Sequence, residues 1–252
     1  MLFPIGDDNS DRLTTPYVNY LLIALNILVF VLFQGVGSND QFTYAWATVP
    51  QEIVTGVDIA RRIPLGIDPS TGRQVGILLQ PIPLPVYTTL LTSMFMHGGL
   101  MHLLGNMLYL WIFGDNLEDR LGHIRYAVFY LLCGVVASLA HVLMNADSYI
   151  PSLGASGAIS GVLGGYILLY PRRRVKAIVL RGFLTEVPAF VAIGIWFLFQ
   201  LFESYVNRGA SGGGVAYAAH IGGFVAGLLL IKFFAIGRGG AGAAGGPVLR
   251  GY

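Results

Sequence analysis

The chain from Gly154 to Tyr170 reads GASGAISGVLGGYILLY, an apolar run with a serine, Ser156, near its start. A second apolar run, from Val215 to Ile236, contains His220 near its own start. Polar side chains at membrane depth are costly, so a serine and a histidine in two such runs favour a functional site over packing. A nucleophile needs a base within hydrogen-bond reach, and these two runs offer one candidate for each role.

The composition is that of a membrane protein. Of 252 residues, 55% are hydrophobic and 11% are charged, whereas a soluble domain carries about 25% charged residues. The net charge of +2 is too small to indicate nucleic-acid binding. The single cysteine, Cys133, excludes an internal disulfide. We expect no cleaved signal peptide, because Asp7, Asp8 and Asp11 precede the first apolar run and no basic n-region is present.

Six apolar runs approach the ~20 residues that a helix needs to cross a bilayer. Lipid offers no partner to backbone N–H and C=O groups, so these runs are predicted to be helices. The expected fold class is therefore all-α, a polytopic membrane protein built as a six-transmembrane-helix bundle. The predicted spans are Pro16–Gln34, Gly98–Gly114, Ile124–Met144, Gly154–Tyr170, Val187–Phe202 and Val215–Ile236.

The spans divide the chain into one domain with flanking segments. Residues 1–15 form a short N-terminal segment, residues 16–236 form the six-helix domain, and residues 237–252 form a glycine-rich tail that we expect to be flexible. Residues 35–88 form a long external loop with a turn signal at Asp68–Gly72. An interfacial helix, a hairpin or both are possible for this loop.

The distribution of lysine and arginine predicts the orientation in the membrane. Six spans place both termini on one side, and 11 of the 15 basic residues fall on that side. The other four are Arg61, Arg62, Arg73 and Arg208. Because positive charge favours the cytoplasmic side, both termini are expected in the cytoplasm of a prokaryotic cell, with the protein in its plasma (inner) membrane.

The fourth span is short, which predicts where Ser156 lies. From Ser156 to Tyr170 a helix is about 22 Å long at 1.5 Å per residue, whereas the hydrocarbon core is about 30 Å thick. Ser156 should therefore lie below the outer surface and face a water-filled cavity. Small residues repeat every four positions on spans four and six, which allows close backbone contact between them. The repeating residues are Gly157, Gly161, Gly165, Ala219, Gly223 and Gly227.

The second span carries a pair of polar side chains, His102 and Asn106, on one helix face. Neutral histidine and asparagine can both donate hydrogen bonds to a developing oxyanion. They can equally hold helices together, and the residues alone leave both interpretations open. No His-Glu-x-x-His spacing is present and no acidic residue lies in a predicted span core, so neither a metal nor another cofactor is expected.

Three motifs together resemble the rhomboid family of intramembrane proteases. They are His97-x4-His102-x3-Asn106, Gly154-Ala155-Ser156-Gly157 and Ala219-His220-x2-Gly223-x3-Gly227. The resemblance runs from about Pro16 to Ile236. It implies a six-helix core, a Ser-His dyad without aspartate, and cleavage of single-span membrane proteins within the lipid bilayer.

The resemblance also implies a role for each matching residue. Ser156 matches the nucleophile and His220 the general base. His102, Asn106 and the backbone N–H of Ser156 match the groups around the oxyanion. Structural roles near the site are implied for His97, Gly154, Gly157 and Gly223.

The chain departs from the family pattern at two places. Glu118 and Gly122 match the Glu-x3-Gly end of span two, but Thr88-Thr89 stand where some relatives have a Trp-Arg pair. Glu118 is therefore expected to lack the arginine partner, which leaves the anchor of the loop undefined. Ser160 stands where some members have a tyrosine stacked on the histidine, so helix packing alone is expected to hold the ring of His220.

Two other classes of function compete with the protease. A non-catalytic rhomboid-like protein would bind the transmembrane helices of client proteins, but such relatives typically lack the serine or the histidine. A transporter would show inverted repeats and intramembrane acids, which the sequence lacks.

Overall fold

The computed structural model describes residues 2–67, 70–179, 182–206 and 216–237, and the chain is mostly helical. The helices are α1 (Tyr17–Leu28), α2 (Asp40–Trp46), α3 (Pro50–Thr55), α4 (Thr89–Thr92), α5 (Leu100–Leu121), α6 (His123–Met144), α7 (Ser156–Leu169), α8 (Ala189–Val206) and α9 (Tyr217–Phe234). The strands are β1 (Phe3–Asp7), β2 (Arg62–Ile67), β3 (Gln74–Leu78), β4 (Arg174–Ile178) and β5 (Leu184–Pro188).

Three of these helices, α6, α8 and α9, are long and apolar enough to cross a membrane. Two of the other predicted spans are shorter apolar helices: α1, which continues as a π-helical turn to Phe33, and α7. Residues 238–252 of the predicted tail, Val215 at the start of span six, and Asp68 and Pro69 of the turn signal lie outside the described residues.

The predicted end of the second span at Gly114 is wrong. Helix α5 continues to Leu121, so Asp115 and Glu118 are buried acidic residues in its last two turns, beyond the apolar part that the sequence predicted. Each has a compensating partner, as a buried carboxylate requires. Asp115 forms an ion pair with Arg12, and the two oxygens of Glu118 accept hydrogen bonds from the backbone N–H groups of Val18 (3.0 Å) and Asn19 (2.7 Å).

Backbone N–H groups of α1 thus bind Glu118 in place of the arginine that some relatives have. These N–H groups lie in the first turn of α1 and have no acceptor within their own helix. Asn19 extends the same contact, since its side chain donates to the carbonyl of Leu110 and accepts from the hydroxyl of Tyr126. Glu118 and Asn19 therefore join α1 to α5 and α6.

Helix α7 lies at the centre of the helical bundle. Every residue from Gly157 to Tyr166 is buried, and α5, α6, α8 and α9 all contact this helix. The closest neighbour is α9: a Cβ atom at Gly223 would collide with the carbonyl oxygen of Gly157, and one at Gly227 with that of Gly161. The two small-residue faces therefore bring the backbones of α7 and α9 into direct contact.

A three-stranded antiparallel sheet, in the order β1-β4-β5, follows α7 and includes the N-terminal segment. Phe3 pairs with Ile178 and Asp7 with Val175, while Ile178 pairs in turn with Leu184. The expectation of an all-α protein is correct for the bundle but misses this sheet. Strands of five residues are too short to leave a clear periodic signal in the sequence, and the partner of β1 is also about 170 positions away.

The loop of residues 35–88 contains helices as well as a hairpin. Helices α2 and α3 precede a hairpin in which Arg62 of β2 pairs with Leu78 of β3. Val49, Ile63 and Leu79 form a small core of their own in this loop. Because this core is separate from that of the bundle, the loop needs further contacts to hold it in place.

Threonine side chains provide the anchor of the loop that the sequence left undefined. Thr48 Oγ1 donates to the carbonyl of Thr89 (2.8 Å), and Thr92 Oγ1 donates to the carbonyl of Trp46 (3.0 Å). The backbone of Thr48 also exchanges two hydrogen bonds with Ser152, at 3.0 and 2.8 Å. The external loop is thus fastened to the segment that leads into Ser156.

Candidate active site

Ser156 is the first residue of α7 and is half-buried, so its hydroxyl is accessible. The chain reaches it through a sharp turn at Gly154, whose φ of +125° disfavours a side chain. The backbone N–H of Gly154 donates to the carbonyl of Ser93 (2.9 Å), which fixes the turn. One turn later, Ser160 Oγ donates to the carbonyl of Ser156 (2.6 Å).

His220 lies in the first turn of α9 and is buried. Its Nε2 atom is 2.7 Å from Ser156 Oγ, within hydrogen-bond distance. Gly157 follows Ser156 directly, and Gly223 lies three residues after His220. The backbone contact between the two glycines therefore holds the Ser156 and His220 side chains close together. Gly157 also lies against α6, where a Cβ atom would come within 2.7 Å of Ala137 Cβ.

The ring of His220 is held by more than helix packing, contrary to the expectation from Ser160. Gln200 of α8 is buried, and its Oε1 atom is 2.6 Å from His220 Nδ1. Trp196 and Tyr217 flank the ring, with centroids 6.1 and 6.4 Å from that of His220. Sequence reasoning missed Gln200, although a lone amide in the apolar run from Ala189 to Phe202 was a detectable signal.

His102 presents one ring nitrogen towards the nucleophile. The N–H of Gly98 donates to His102 Nδ1 (3.3 Å), so in the neutral ring the proton is on Nε2. A Cβ atom at Gly154 would lie 2.9 Å from His102 Nε2 and 3.6 Å from Ser156 Oγ. Because Gly154 has no side chain, the Nε2–H group of His102 can face the hydroxyl of Ser156 across this position.

Asn106 and His97 complete the polar face of α5. Asn106 is buried, and its Nδ2 atom has no hydrogen-bond partner in the described part of the chain. A buried amide without a partner is uncommon and calls for an explanation. His97 is buried with its ring edge-on to that of His102 at 5.2 Å, and both of its ring nitrogens are likewise unpaired within the described ranges.

A small cleft opens beside Ser156. It is lined by main-chain and small side-chain groups, among them Ser93, Ser138, Ser152, Gly154 and Ala219. Polar lining in an otherwise apolar bundle suits a peptide backbone or water. Across the described residues, no three His, Cys, Asp or Glu side chains are grouped closely enough to hold a metal ion.

Comparison with known proteins identifies the family. Residues 85–236 match the model of the Rhomboid domain. The chain is 28% identical over 228 residues to rhomboid protease GluP of Bacillus subtilis, which covers 90% of this chain and 36% of that protein. It is 33% identical over 159 residues to the mitochondrial rhomboid protein 1 of Saccharomyces cerevisiae, which covers 61% of this chain and 43% of that protein.

A third relative is the mitochondrial presenilin-associated rhomboid-like protein of Mus musculus, 29% identical over 153 residues and matched over 57% of this chain and 37% of its own length. The chain thus spans less than half the length of each of these curated relatives. The matched domain includes α5 to α9 and every residue that lines the site. By this match, and by its apolar helices, the chain belongs to the rhomboid family of integral membrane proteins.

Proposed function

We propose that the chain is an intramembrane serine endopeptidase that cleaves transmembrane segments of other membrane proteins. Ser156 is the nucleophile and His220 the general base. The observation that supports this most strongly is the 2.7 Å contact between Ser156 Oγ and His220 Nε2, made by two polar side chains inside apolar helices. Such a pair is costly at membrane depth unless it serves chemistry.

The chemistry follows from that contact. His220 Nε2 takes the hydroxyl proton as Ser156 Oγ attacks the scissile carbonyl, and the imidazolium then returns this proton to the leaving amine. A water molecule repeats the sequence on the acyl-enzyme, giving up a proton to His220 and releasing the carboxylate product with Ser156 restored. The cleft beside Ser156 supplies a polar route for this water.

Three donors surround the point where the oxyanion develops. His102 Nε2–H faces Ser156 across Gly154, and the unpaired amide of Asn106 lies one turn further along the same helix. The backbone N–H of Ser156 is the third, at an α7 N-terminus where it has no intrahelical acceptor. Groups positioned before the reaction stabilise the transition state without reorganisation. His97, which packs against His102, has a structural role here.

Six membrane-crossing helices fit this site, namely α1 with its π-helical extension, α5, α6, α7, α8 and α9. The β1–β4 pairing supports the first four of these crossings, because an even number of crossings is needed to return the chain after α7 to the side of residues 3–7. The excess of basic residues makes that side cytoplasmic, in the plasma membrane of a prokaryote. Single-span proteins are the substrates, cleaved where their helix unwinds and exposes a peptide bond.

Labelling of introduced cysteines tests the orientation. The only native cysteine, Cys133, is buried, so background reaction should be low. An impermeant thiol reagent applied to intact cells should modify Thr71→Cys in the external loop and spare Arg172→Cys after α7. Both positions are exposed in the folded protein, so access to them depends on the side of the membrane. Modification of Arg172→Cys alone would reverse the proposed orientation.

Covalent labelling with a fluorophosphonate tests the function itself. Such a reagent modifies a serine that a neighbouring base activates, so wild-type protein should react and Ser156→Ala should not. His220→Ala should lose labelling too, although the serine is present. Ser138→Ala, which removes another hydroxyl from the same cleft, is the matched control and should retain it. A folded wild-type protein that fails to react would instead favour a non-catalytic rhomboid-like protein that binds client helices.

A further inference from the structure

We propose that Gln200 is a positioning residue of this site, whose amide oxygen holds His220 in the tautomer that can accept the serine proton. The inference rests on the proposed protease function and extends the Ser-His pair to a Ser-His-Gln arrangement. It assigns to α8, the least buried of the apolar helices, a direct part in orienting the base.

The geometry of the contact is that of a strong hydrogen bond between buried groups. Gln200 Oε1 and His220 Nδ1 are 2.6 Å apart, and the two residues are 7% and 8% exposed. A buried amide is costly to the folded state unless it is hydrogen-bonded. Gln200 is the only polar residue in the stretch from Ala189 to Phe202, so its presence calls for a specific partner.

Three contacts on one face of α8 fix Gln200 opposite His220. Phe197 stacks on Phe224 with ring centroids 4.2 Å apart. One turn along, Gln200 meets His220, and a further turn along, Tyr217 Oη donates to Glu203 Oε2 (3.4 Å). Residues 197, 200 and 203 are three apart, so they lie on one helix face. The aromatic stack and the tyrosine contact on either side set the position of the amide.

The chemical consequence concerns which nitrogen of His220 carries the proton. An amide oxygen can only accept, so the hydrogen bond places the proton of the neutral ring on Nδ1. Nε2 then has a free lone pair that points at Ser156 Oγ, as a general base requires. If the amide were reversed, its NH₂ group would donate to Nδ1. The proton would then be on Nε2, and the ring could not accept from the serine.

The surroundings of His220 leave this orientation to Gln200. The titratable side chains that act on His220 from other helices, within the described chain, are His102 on α5 and His141 on α6. Neither carries negative charge, so neither can take the role that an aspartate has in a triad. Tyr217, on the same helix as His220, contacts it only as an aromatic ring, nearly perpendicular to the imidazole with centroids 6.4 Å apart.

The first test replaces Gln200 by methionine, which has a similar volume and no acceptor for Nδ1–H. In reconstituted full-length protein, kcat should fall about 10- to 100-fold, as for a lost hydrogen bond to a group that becomes charged. KM should be nearly unchanged, because Gln200 is buried and does not line the cleft beside Ser156. Leu198→Met, on the exposed side of the same helix, is the matched control and should retain wild-type kcat.

The second test is a rescue that separates positioning from packing. Gln200→Glu restores an acceptor and adds negative charge, which stabilises the imidazolium. Its kcat should exceed that of Gln200→Met, and the acidic limb of its pH profile for kcat/KM should move to higher pH. A purely structural role for Gln200 would leave that limb unmoved. A Gln200→Met protein with wild-type kcat would overturn the inference while leaving the Ser-His pair in place.

A third measurement does not depend on turnover. In protein labelled with ¹⁵N at histidine, the ring of His220 should show the tautomer protonated at Nδ1, assigned by comparison with His220→Ala. This holds in Ser156→Ala protein too, so the inference can be judged even if no substrate is cleaved. A wild-type ring protonated at Nε2 would overturn it. If the wild-type protein did not react with the fluorophosphonate, that result would instead count against the proposed function alone.

Discussion

Helices α7 and α8 both contact α9, but the two contacts are built differently. Between α7 and α9 the backbones meet directly, because Gly223 and Gly227 lie against the carbonyl oxygens of Gly157 and Gly161. Between α8 and α9 the contact is made by side chains, and α8 buries only Ala189, Ala192, Ile193 and Gln200. A backbone contact allows almost no adjustment, whereas a side-chain contact can shift.

The two contacts act on two different features of the site. The glycine contact sets the distance between Ser156 and His220, and the contact with α8 sets the rotation of the His220 ring. A change at the first contact should therefore affect folding and activity together. A change at the second should affect turnover more than stability. Substitutions at the two contacts test that separation.

Gly223→Ala should have the largest effect, because the added Cβ collides with the Gly157 carbonyl and forces α7 and α9 apart. Overpacking of this kind costs about 1–3 kcal/mol of stability, and the Ser156–His220 contact should be lost with it. Melting temperature and cleavage rate, measured in the same detergent, should both fall.

Gly194→Ala is the matched control on α8. A Cβ atom there has no neighbour within 4 Å, so the variant should fold and cleave normally. Alanine is favoured over glycine in a helix interior by roughly 1 kcal/mol, and the melting temperature should not fall. If the two glycine variants behaved alike, the distinction between the two contacts would be wrong.

Asn106→Ala should lower activity with little change in stability. Loss of one oxyanion donor costs about 10²–10³-fold in kcat, whereas a lost interhelical hydrogen bond in a membrane protein costs about 0.6 kcal/mol on average. Because Asn106 Nδ2 has no partner in the described structure, truncation breaks no visible contact. Steady-state kinetics and thermal melting of the one variant decide between the roles. Early melting with normal kcat would make Asn106 a structural residue.

The smallest effect is expected at the other end of α7, where a polar network replaces the glycine contact. Tyr166 Oη donates to Asp7 Oδ2, and Asn116 Nδ2 donates to the same oxygen (2.8 Å). Burial nevertheless raises the pKa of Asp7 to about 7. The folded state therefore binds this proton more tightly than the unfolded state, for which the pKa is about 3.9.

Stability from Asp7 should consequently be greatest at acidic pH and should fall as pH rises towards 7. The loss should be on the order of 2 kcal/mol after allowance for solvent screening of a half-buried group. Asp7→Asn, which is neutral throughout, should flatten this part of the stability profile between about pH 4 and 7. Melting curves of both proteins across that range provide the test. An unchanged slope in Asp7→Asn would show that other groups cause the dependence.

The parts of the fold that could be predicted from the sequence are those with a local pattern. The apolar runs predicted the positions of α6 and α9, and the four-residue repeat of small residues predicted that α7 and α9 meet closely. Ser156 and His220 stood out because each is polar in an apolar run. Their separation of 64 positions carries no information on distance, which comes from the fold.

The parts that could not be predicted depend on contacts between distant residues. Glu118 caps α1 from 99 positions away, and β1 pairs with a strand that follows α7. In both cases the local sequence does not indicate the contact, because the contact depends on a partner far away in the chain. Asp115 and Glu118 lengthen α5 beyond its apolar part, because their partners neutralise the cost of burial. Gln200 differs from these, since it was visible as a polar residue in an apolar helix.

The most direct test of the account is cleavage of a single-span substrate by protein reconstituted in liposomes, with the products identified by mass spectrometry. The wild type should cut one peptide bond within the substrate's transmembrane segment. Because Ser156 and His220 act as a unit, Ser156→Ala and His220→Ala should each abolish nearly all cleavage. A His220→Ala protein that cleaved the same bond at near the wild-type rate would contradict the central claim.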